Sequence, residues 1–489
     1  MLPRKVSMSF YGKSHLLPRR FRLLLASFLQ RPGLPFADVL PEEAIQKAFD
    51  DEDASFADDS DAVYTPAVTL WAFLSQVLFK DEQRSCVAAV ARVVVLLVAW
   101  ARRPCCGNTG AYCRARAKLS EKVVRRLTVD LGDGCEGQLD DRWLWHGRHV
   151  YLVDGTTVSM PDTPQNQEAY PQHGQQQEGL GFPIARVVVL MSLASGMLAD
   201  MGMGPYAGKE TGETALLRQL LEGLEPGDIL LADRYYCSYF MIALLMELGI
   251  DFVTRVHQLR TVDFCRGRRL GQGDHVVQWR RPQKPDWMDQ QTYDRMPASI
   301  EVREIHVQVG RPGFRTESLV VVTTLTDAGE YTKDDIAQLY RRRWLAELDI
   351  RAIKITLGMD VLRCKTPQMV RKEMWTCLLA YNLIRQTMLQ SARMSGHGPR
   401  QLSFAAAMQA IAASWLVVTL SDDSAAASLI EAALANLPGH LIGNRPGRVE
   451  PRAVKRRPKP HDLLTKPRAQ ARAELLTEKR DKPAQVLVK

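Results

Sequence analysis

The chain has 489 residues, 46% of them hydrophobic and 24% charged, which excludes a mostly disordered chain, a collagen and a small disulfide scaffold. At roughly 150 residues per domain the length allows about three units. The net charge is +9, and the segment from Arg445 to Lys489 holds all of it, with 14 Lys and Arg against 5 Asp and Glu. Such a tail, with Lys455, Arg456 and Arg457 at its centre, is suited to neutralising nucleic-acid phosphates.

The N-terminus is basic but has no uninterrupted apolar run before a small-residue cleavage site, so we expect no export signal. The longest apolar stretch, Val93 to Trp100, is less than half of the roughly 20 residues a membrane span needs. Up to about residue 140 the pattern is helical, with apolar residues at helical spacing in 67–78, 84–101 and 119–127. Arg114, Arg116, Lys118, Lys122, Arg125 and Arg126 crowd two of the turns there, as a helical module touching DNA would require. Nine scattered cysteines form no CxxC pair, so free thiols are expected and zinc is not.

The texture changes at Arg148. Residues 149–153 read as a strand, Asp154–Gly155 as a hairpin turn and 156–160 as the returning strand. A Gln- and Pro-rich loop follows, then strands near 185–193 and 197–202 and a helix over 214–223. A buried strand, Ile229 to Ala232, ends on Asp233, and a helix (238–248) and a strand (251–256) come next. Strands first, then helix and strand in alternation, predict a mixed α/β sheet. Residues 257 to about 325 are strand-rich without a long helix, like an insertion. Thr332 and Asp335 form a T-x-x-D capping box for a helix that Gly358 closes, and helices continue to about residue 435.

Asp154 and Asp233 each follow an apolar run that reads as a buried strand, and ligands of α/β sheets bind where strands end. Either aspartate alone would be an ordinary turn former. A third acid comes from helical geometry. At about 100° per residue, Tyr340, Arg343, Glu347, Arg351 and Lys354 fall within an arc of about 80°. Trp344, Leu348, Ala352 and Ile355 form an apolar stripe beside them. Three carboxylates can hold two divalent ions through hard oxygen ligands, and the neighbouring bases and phenol can bind phosphate oxygens.

Tyr340, Arg343, Glu347 and Lys354 have the spacing of the Y-R-E-K signature, and the chain resembles the insertion sequence 4 family of DDE transposases from about residue 20 to 470. YLVDGTTVSMPDT around Asp154 and ILLADRYYCSY around Asp233 resemble that family's acidic motifs, and GKETGET and RPGRVEPRAVKRRPKP are similar to its flanking segments. The resemblance implies a ribonuclease-H-like core in which Asp154, Asp233 and Glu347 are catalytic metal ligands. Two Mg²⁺ ions are implied, with Mn²⁺ able to substitute. The segment before the Glu347 helix matches the family's β-rich insertion, where a Trp stacks on a flipped base; Trp279 and Trp287 are the candidates.

The expected organisation is an N-terminal helical DNA-binding region (1–140), a catalytic core in two parts (141–256 and 326–440) split by the insertion (257–325), and a basic tail (441–489). The expected activity is cut-and-paste transposition: metal-dependent cleavage at terminal inverted repeats, a hairpin intermediate, and joining of 3′ ends to target DNA. It implies a homodimer in the synaptic complex and a cytoplasmic bacterial protein, nucleoid-associated when on DNA and apart from membranes. Two alternatives stand beside it, a ribonuclease-H-like nuclease without strand transfer and a non-catalytic, transposase-derived DNA-binding repressor. A glycosidase using paired carboxylates leaves the basic tail and the bases beside Glu347 unexplained.

Overall fold

In the computed structural model, residues 21–52, 56, 62–308, 318–443 and 464–481 are described. The chain enters through α1 (Arg22–Ser27), α2 (Glu42–Asp51), α3 (Pro66–Leu78), α4 (Cys86–Ala99), α5 (Gly110–Lys118) and α6 (Glu121–Glu136). Local chemistry starts two of them: Thr65 caps α3 ahead of Pro66, and Ser85 accepts from Ala88 N to cap α4, satisfying amides that have no partner within the helix. Every residue of α3 from Ala67 to Leu78 is buried, as a helix apolar on most of its circumference requires.

The sheet begins with β1 (Val150–Ser159), followed by α7 (Pro164–Ala169), β2 (Ile184–Ser192) and β3 (Leu198–Pro205), and the three strands form an antiparallel meander. After α8 (Glu213–Arg218), β4 (Ile229–Ala232) pairs parallel to the other edge of β1; then α9 (Tyr239–Glu247) crosses to β5 (Asp251–Arg255), parallel to β4. The order β3-β2-β1-β4-β5, antiparallel on one side and parallel on the other, is the ribonuclease-H-like mixed sheet expected from the sequence.

The 257–325 segment supplies β6 (Arg268–Gly271), β7 (Asp274–Arg280), α10 (Gln290–Arg295), β8 (Ser299–Gln308) and β9 (Ser318–Thr323). These strands do not make a sheet of their own. β9 pairs antiparallel with β5 on one side and with β8 on the other, so the described strands form one nine-stranded sheet. Inside it, the buried Arg303 guanidinium donates to both oxygens of Asp274 at 2.9 and 2.7 Å and to the Tyr331 carbonyl at 2.6 Å. That bidentate geometry and the third acceptor satisfy a charge that would otherwise be costly to bury.

Then come α11 (Lys333–Arg341), α12 (Trp344–Arg351), a π-helical turn (Ala352–Thr356), α13 (Pro367–Ser395), α14 (Phe404–Leu420), α15 (Asp423–Asn436) and, in the basic tail, α16 (Arg468–Asp481). α13 packs against α3 and α6 as well as α14 and α15. The N-terminal helices therefore share one apolar core with the C-terminal helices and one face of the sheet, while α8, α9 and part of the insertion cover the other face. No helix among the described residues is long and apolar enough to cross a membrane.

Two local expectations are corrected. Asp154–Gly155 is not a hairpin turn. β1 runs straight through it, with Asp154 opposite Val189 and Gly155 opposite Val188, because the ladder with β2, continuous from Tyr151 to Ser159, outweighs a two-residue turn preference. The helix from Thr332 to Gly358 is capped at both ends as read, with a reciprocal Thr332–Asp335 box and Gly358 at φ 70°. It is interrupted, however, at Arg342–Arg343 and again by the π-helical turn.

Candidate active site

Asp154 stands in the middle of β1, half-buried, and its Oδ1 accepts from Gly155 N at 2.8 Å. Burial pushes its carboxyl up to about 6; the Gly155 N–H and Arg343 oppose the shift, and the charges of Glu347 and Glu213 add to it. A carboxylate destabilised by burial and by two like charges is one that a cation would favour. Asp233 ends β4 and opens a one-turn helix, where its carbonyl accepts from Tyr236 N (3.1 Å) and from the Thr254 hydroxyl (2.8 Å). The backbone that carries it is thus pinned to β5.

Glu347 lies in the first turn of α12, with a side chain 37% exposed. Two residues on, about 200° around the helix, Asp349 is buried; it accepts from Arg385 at 2.6 Å and from Arg400 at 2.7 and 3.0 Å. This clamp sets the rotation of α12 and turns Glu347 away from the core. Arg343 joins the acids. Its Nη2 donates to Glu347 Oε1 at 3.1 Å. Burial pulls its pKa down, but Tyr340, Asp233, Glu347 and Asp154 together hold it above the ordinary arginine value. Tyr340 is buried, which pushes its phenol up to about 12. Lys354 donates to Thr156 Oγ1 at 3.1 Å and to the Thr157 carbonyl at 2.8 Å, two to three residues past Asp154.

The structure thus gathers Tyr340, Arg343, Glu347 and Lys354 around Asp154 and Asp233. Arg351 is exposed at the end of α12, ahead of the π-helical turn. The apolar stripe is only partly internal: Ala352 is buried, whereas Trp344, Leu348 and Ile355 are 53%, 40% and 57% exposed. In the insertion, Trp279 is buried, with its indole N–H on Glu304 (2.9 Å) and the Arg260 guanidinium 3.5 Å over its ring. Trp287 is half-buried, with Arg218 3.8 Å over its ring. Lys455, Arg456 and Arg457 lie outside the described residues. In the N-terminal helices, Arg116, Arg125 and Arg126 are engaged by Gln76, Asp200 and Asp51, while Arg114, Lys118 and Lys122 are exposed.

One residue was not assigned a role from the sequence. Glu213 opens α8, and its carboxyl lies against Gly155, beside Asp154, with Oε2 accepting from the Tyr236 hydroxyl at 3.2 Å. It bridges the strand that carries Asp154 and the turn that follows Asp233. The signal was in GKETGET, whose last acid it is.

Hard carboxylate oxygens are the donor chemistry of a divalent cation such as Mg²⁺. As the side chains stand, no three His, Cys, Asp or Glu among the described residues are grouped closely enough to hold a metal. Arg343 supplies the positive charge instead. The residue types fit a divalent ion, and Glu347 would have to leave Arg343 to join it.

The family model described as a transposase DDE domain matches residues 145–383. The chain is 28% identical over 307 residues to the transposase InsG for insertion sequence element IS4 of Escherichia coli K12, a match covering 60% of this chain and 64% of that protein. It is 29% identical over 144 residues to the putative transposase InsZ of the same organism, covering 29% of this chain and 46% of that one. The matches therefore span less than two thirds of either relative. Among solved structures, it is similar to a piggyBac transposase synaptic complex with hairpin DNA at a TM-score of 0.42 and 9% identity, covering 85% of both chains.

Proposed function

We propose that this chain, which matches the transposase DDE domain over residues 145–383 and resembles the transposase of insertion sequence IS4, is a DDE transposase of the insertion sequence 4 family that cleaves DNA at the ends of its own insertion sequence and joins the freed 3′ ends to target DNA. The observation that carries this reading is the position of Arg343, a guanidinium bonded to Glu347 within the fields of Asp154 and Asp233. A structural ion pair needs one acid, whereas here Glu347 bonds the guanidinium and the charges of Asp233 and Asp154 act on it as well.

In this reading Asp154, Asp233 and Glu347 hold the divalent ions, Mg²⁺ or Mn²⁺ in its place. When bound, such ions stabilise the charge that develops on the attacking and leaving oxygens of a phosphodiester. The chain's own groups do the rest. Arg343, once Glu347 turns to the metal side, presents its planar fork to a phosphate. Lys354, anchored on β1, places a second positive charge beside Asp154. Tyr340 offers a hydroxyl that is protonated at neutral pH as any phenol is, and burial pushes its pKa further up, to about 12. Arg351, exposed past the site, is assigned to the DNA backbone, and so are Lys455, Arg456 and Arg457. Trp287 is the candidate we favour for a flipped base, since it is half-buried whereas Trp279 is buried, and an arginine lies over each ring.

The finer assignments belong to the same proposal: DNA contact by residues 1–140, the core in 141–256 and 326–440 with the insertion 257–325 between, a hairpin intermediate, and a homodimer on paired ends. The test is a labelled duplex carrying the inverted repeats that flank the reading frame, incubated with Mg²⁺ and a target plasmid. Cleavage at the end followed by joined product is expected. Cleavage without joining would make the chain a nuclease, and binding without cleavage would make it a repressor.

A further inference from the structure

Between α3, the start of α4, α5 and the loop that enters α13 lies a cavity of about 160 Å³ whose wall includes Arg84, Arg116, Arg363 and Glu373. One water needs only about 10–15 Å³ of such volume. The wall is unusual in its charge: three arginines and one glutamate are among the residues that line it. The carboxylate is already committed, because the oxygens of Glu373 accept from the backbone N–H groups of Arg363 (3.1 and 2.9 Å) and Cys364 (2.9 Å).

Two of the arginines, Arg84 and Arg116, keep a buried N–H without an acceptor. Arg84 is only 6% exposed; its Nη1 donates to the carbonyls of Leu357 (3.1 Å) and Gly358 (2.7 Å). Gly358 makes that approach possible, since a β-carbon there would stand 2.6 Å from Nη1. Arg84 Nη2 has no hydrogen-bond acceptor and stands 4.0 Å from Glu373 Oε1. Arg116 donates from Nη1 to Gln76 Oε1 at 3.0 Å and lies 4.9 Å over the Phe73 ring, while its Nε is buried without an acceptor. Arg363 is exposed on the outer side and reaches the Asp81 carbonyl at 3.2 Å. Buried guanidinium N–H groups without an acceptor, on residues that line a cavity, call for an anionic acceptor, and their fork geometry matches an oxyanion with several oxygens.

We propose that this cavity, where the N-terminal helices meet the catalytic half, is a binding site for a phosphate-class oxyanion held by Arg84, Arg116 and Arg363. Two sources share that chemistry, a backbone phosphate of bound DNA and a free phosphate. An oxyanion here would tie α3, α4 and α5 to the loop that follows the Glu347 helix.

The test is thermal unfolding and calorimetric titration of the full chain with inorganic phosphate, at ionic strength held constant with chloride. Duplex affinity is measured in parallel. Wild type is expected to bind phosphate saturably and to unfold at higher temperature with it. Arg116→Gln and Arg363→Gln should each weaken that binding about tenfold, the loss of one charge-assisted contact. Arg84→Met should abolish it; should that variant fail to fold, the exposed Arg363→Gln variant decides. Phosphate that competes with duplex, together with weaker duplex binding by Arg363→Gln, assigns the site to DNA. Phosphate binding with unaltered duplex affinity assigns it to a free anion. Two results overturn the proposal: no saturable phosphate effect alongside unaltered duplex affinity in Arg363→Gln, or phosphate binding that both glutamine variants retain in full.

Discussion

The carboxyl of Glu213 lies so close to the backbone of Gly155 that a β-carbon at 155 would stand 2.3 Å from Glu213 Cδ. Gly155 is an extended strand residue paired with Val188, so its backbone would accept alanine. The glycine is needed for the space above it. We expect Gly155→Ala to cost roughly 1–3 kcal/mol of stability, as overpacking does, and to impair cleavage by displacing Glu213. In a Glu213→Ala background the same substitution should cost almost nothing. Denaturant unfolding of the four proteins of this cycle checks it; an equal cost in both backgrounds would show that Glu213 is not what Gly155 makes room for.

The three acids are expected to fail together. Asp154→Asn, Asp233→Asn and Glu347→Gln should each reduce Mg²⁺-dependent end cleavage by on the order of 10³-fold, with duplex binding kept, because a neutral side chain cannot replace a hard anionic ligand. Single-turnover cleavage with bound duplex is the measurement. A variant that cuts at near the wild-type rate would remove its residue from the metal site.

Metal-free stability should depend on pH through Asp154. Its carboxyl is raised from 3.8 to about 6, chiefly by burial, and that of Asp133 likewise. A raised carboxyl holds its proton more tightly in the folded state. Its contribution is therefore full below pH 3.8 and lost as pH rises through about 6. Asp154→Asn should flatten the stability curve in that window and leave the Asp133 part of the slope. Divalent ions must displace the same proton, so their binding should weaken below pH 6 and release protons in calorimetry. An unchanged slope in Asp154→Asn would contradict the assignment.

Arg343 and Lys354 should differ in how they fail. Arg343→Lys keeps the charge but loses the fork, so single-turnover cleavage should fall while stability changes little. Lys354→Met removes donors to Thr156 and Thr157 as well as a charge. It should therefore lower both cleavage and stability, the latter by roughly 1–3 kcal/mol. Wild-type cleavage in both variants would reduce the helix face to a solvated one.

The two insertion tryptophans are separable by the same pair of readouts. Trp279→Ala opens a buried site and leaves Glu304 without its indole donor, a loss of roughly 3–5 kcal/mol. Trp287→Ala should cost less stability and instead weaken engagement of the transposon end, seen by fluorescence of a 2-aminopurine placed next to the cut. A Trp287→Ala protein with a wild-type signal would move base stacking elsewhere.

Much of this site is legible in the chain because its signals are local. β4 runs over Ile229–Ala232 as its apolar run suggests, and the Thr332–Asp335 box and Gly358 bound the Glu347 segment as read. What escapes is set by distant partners. Asp154–Gly155 looks like a turn until β2 is laid along the whole of β1. A helical wheel keeps about 100° per residue and cannot know that the helix breaks at Arg342–Arg343, or that Arg385 and Arg400 clamp Asp349. Glu213 gains meaning only when α8 is laid over Gly155. The choice between Trp279 and Trp287 needed the burial that folding decides.

The shared ladder between β9 and β5 also bears on how such a chain can be cut, grafted or evolved. Excising the 257–325 segment would strip β5 of its outer neighbour along Val253 to Arg255, and a bare strand edge recruits other chains. A shortened catalytic half should therefore form aggregates unless a replacement strand is supplied in register. Lineages that alter this segment are better served by lengthening the turns between its strands than by losing them, since each turn is free to vary while the ladder is not.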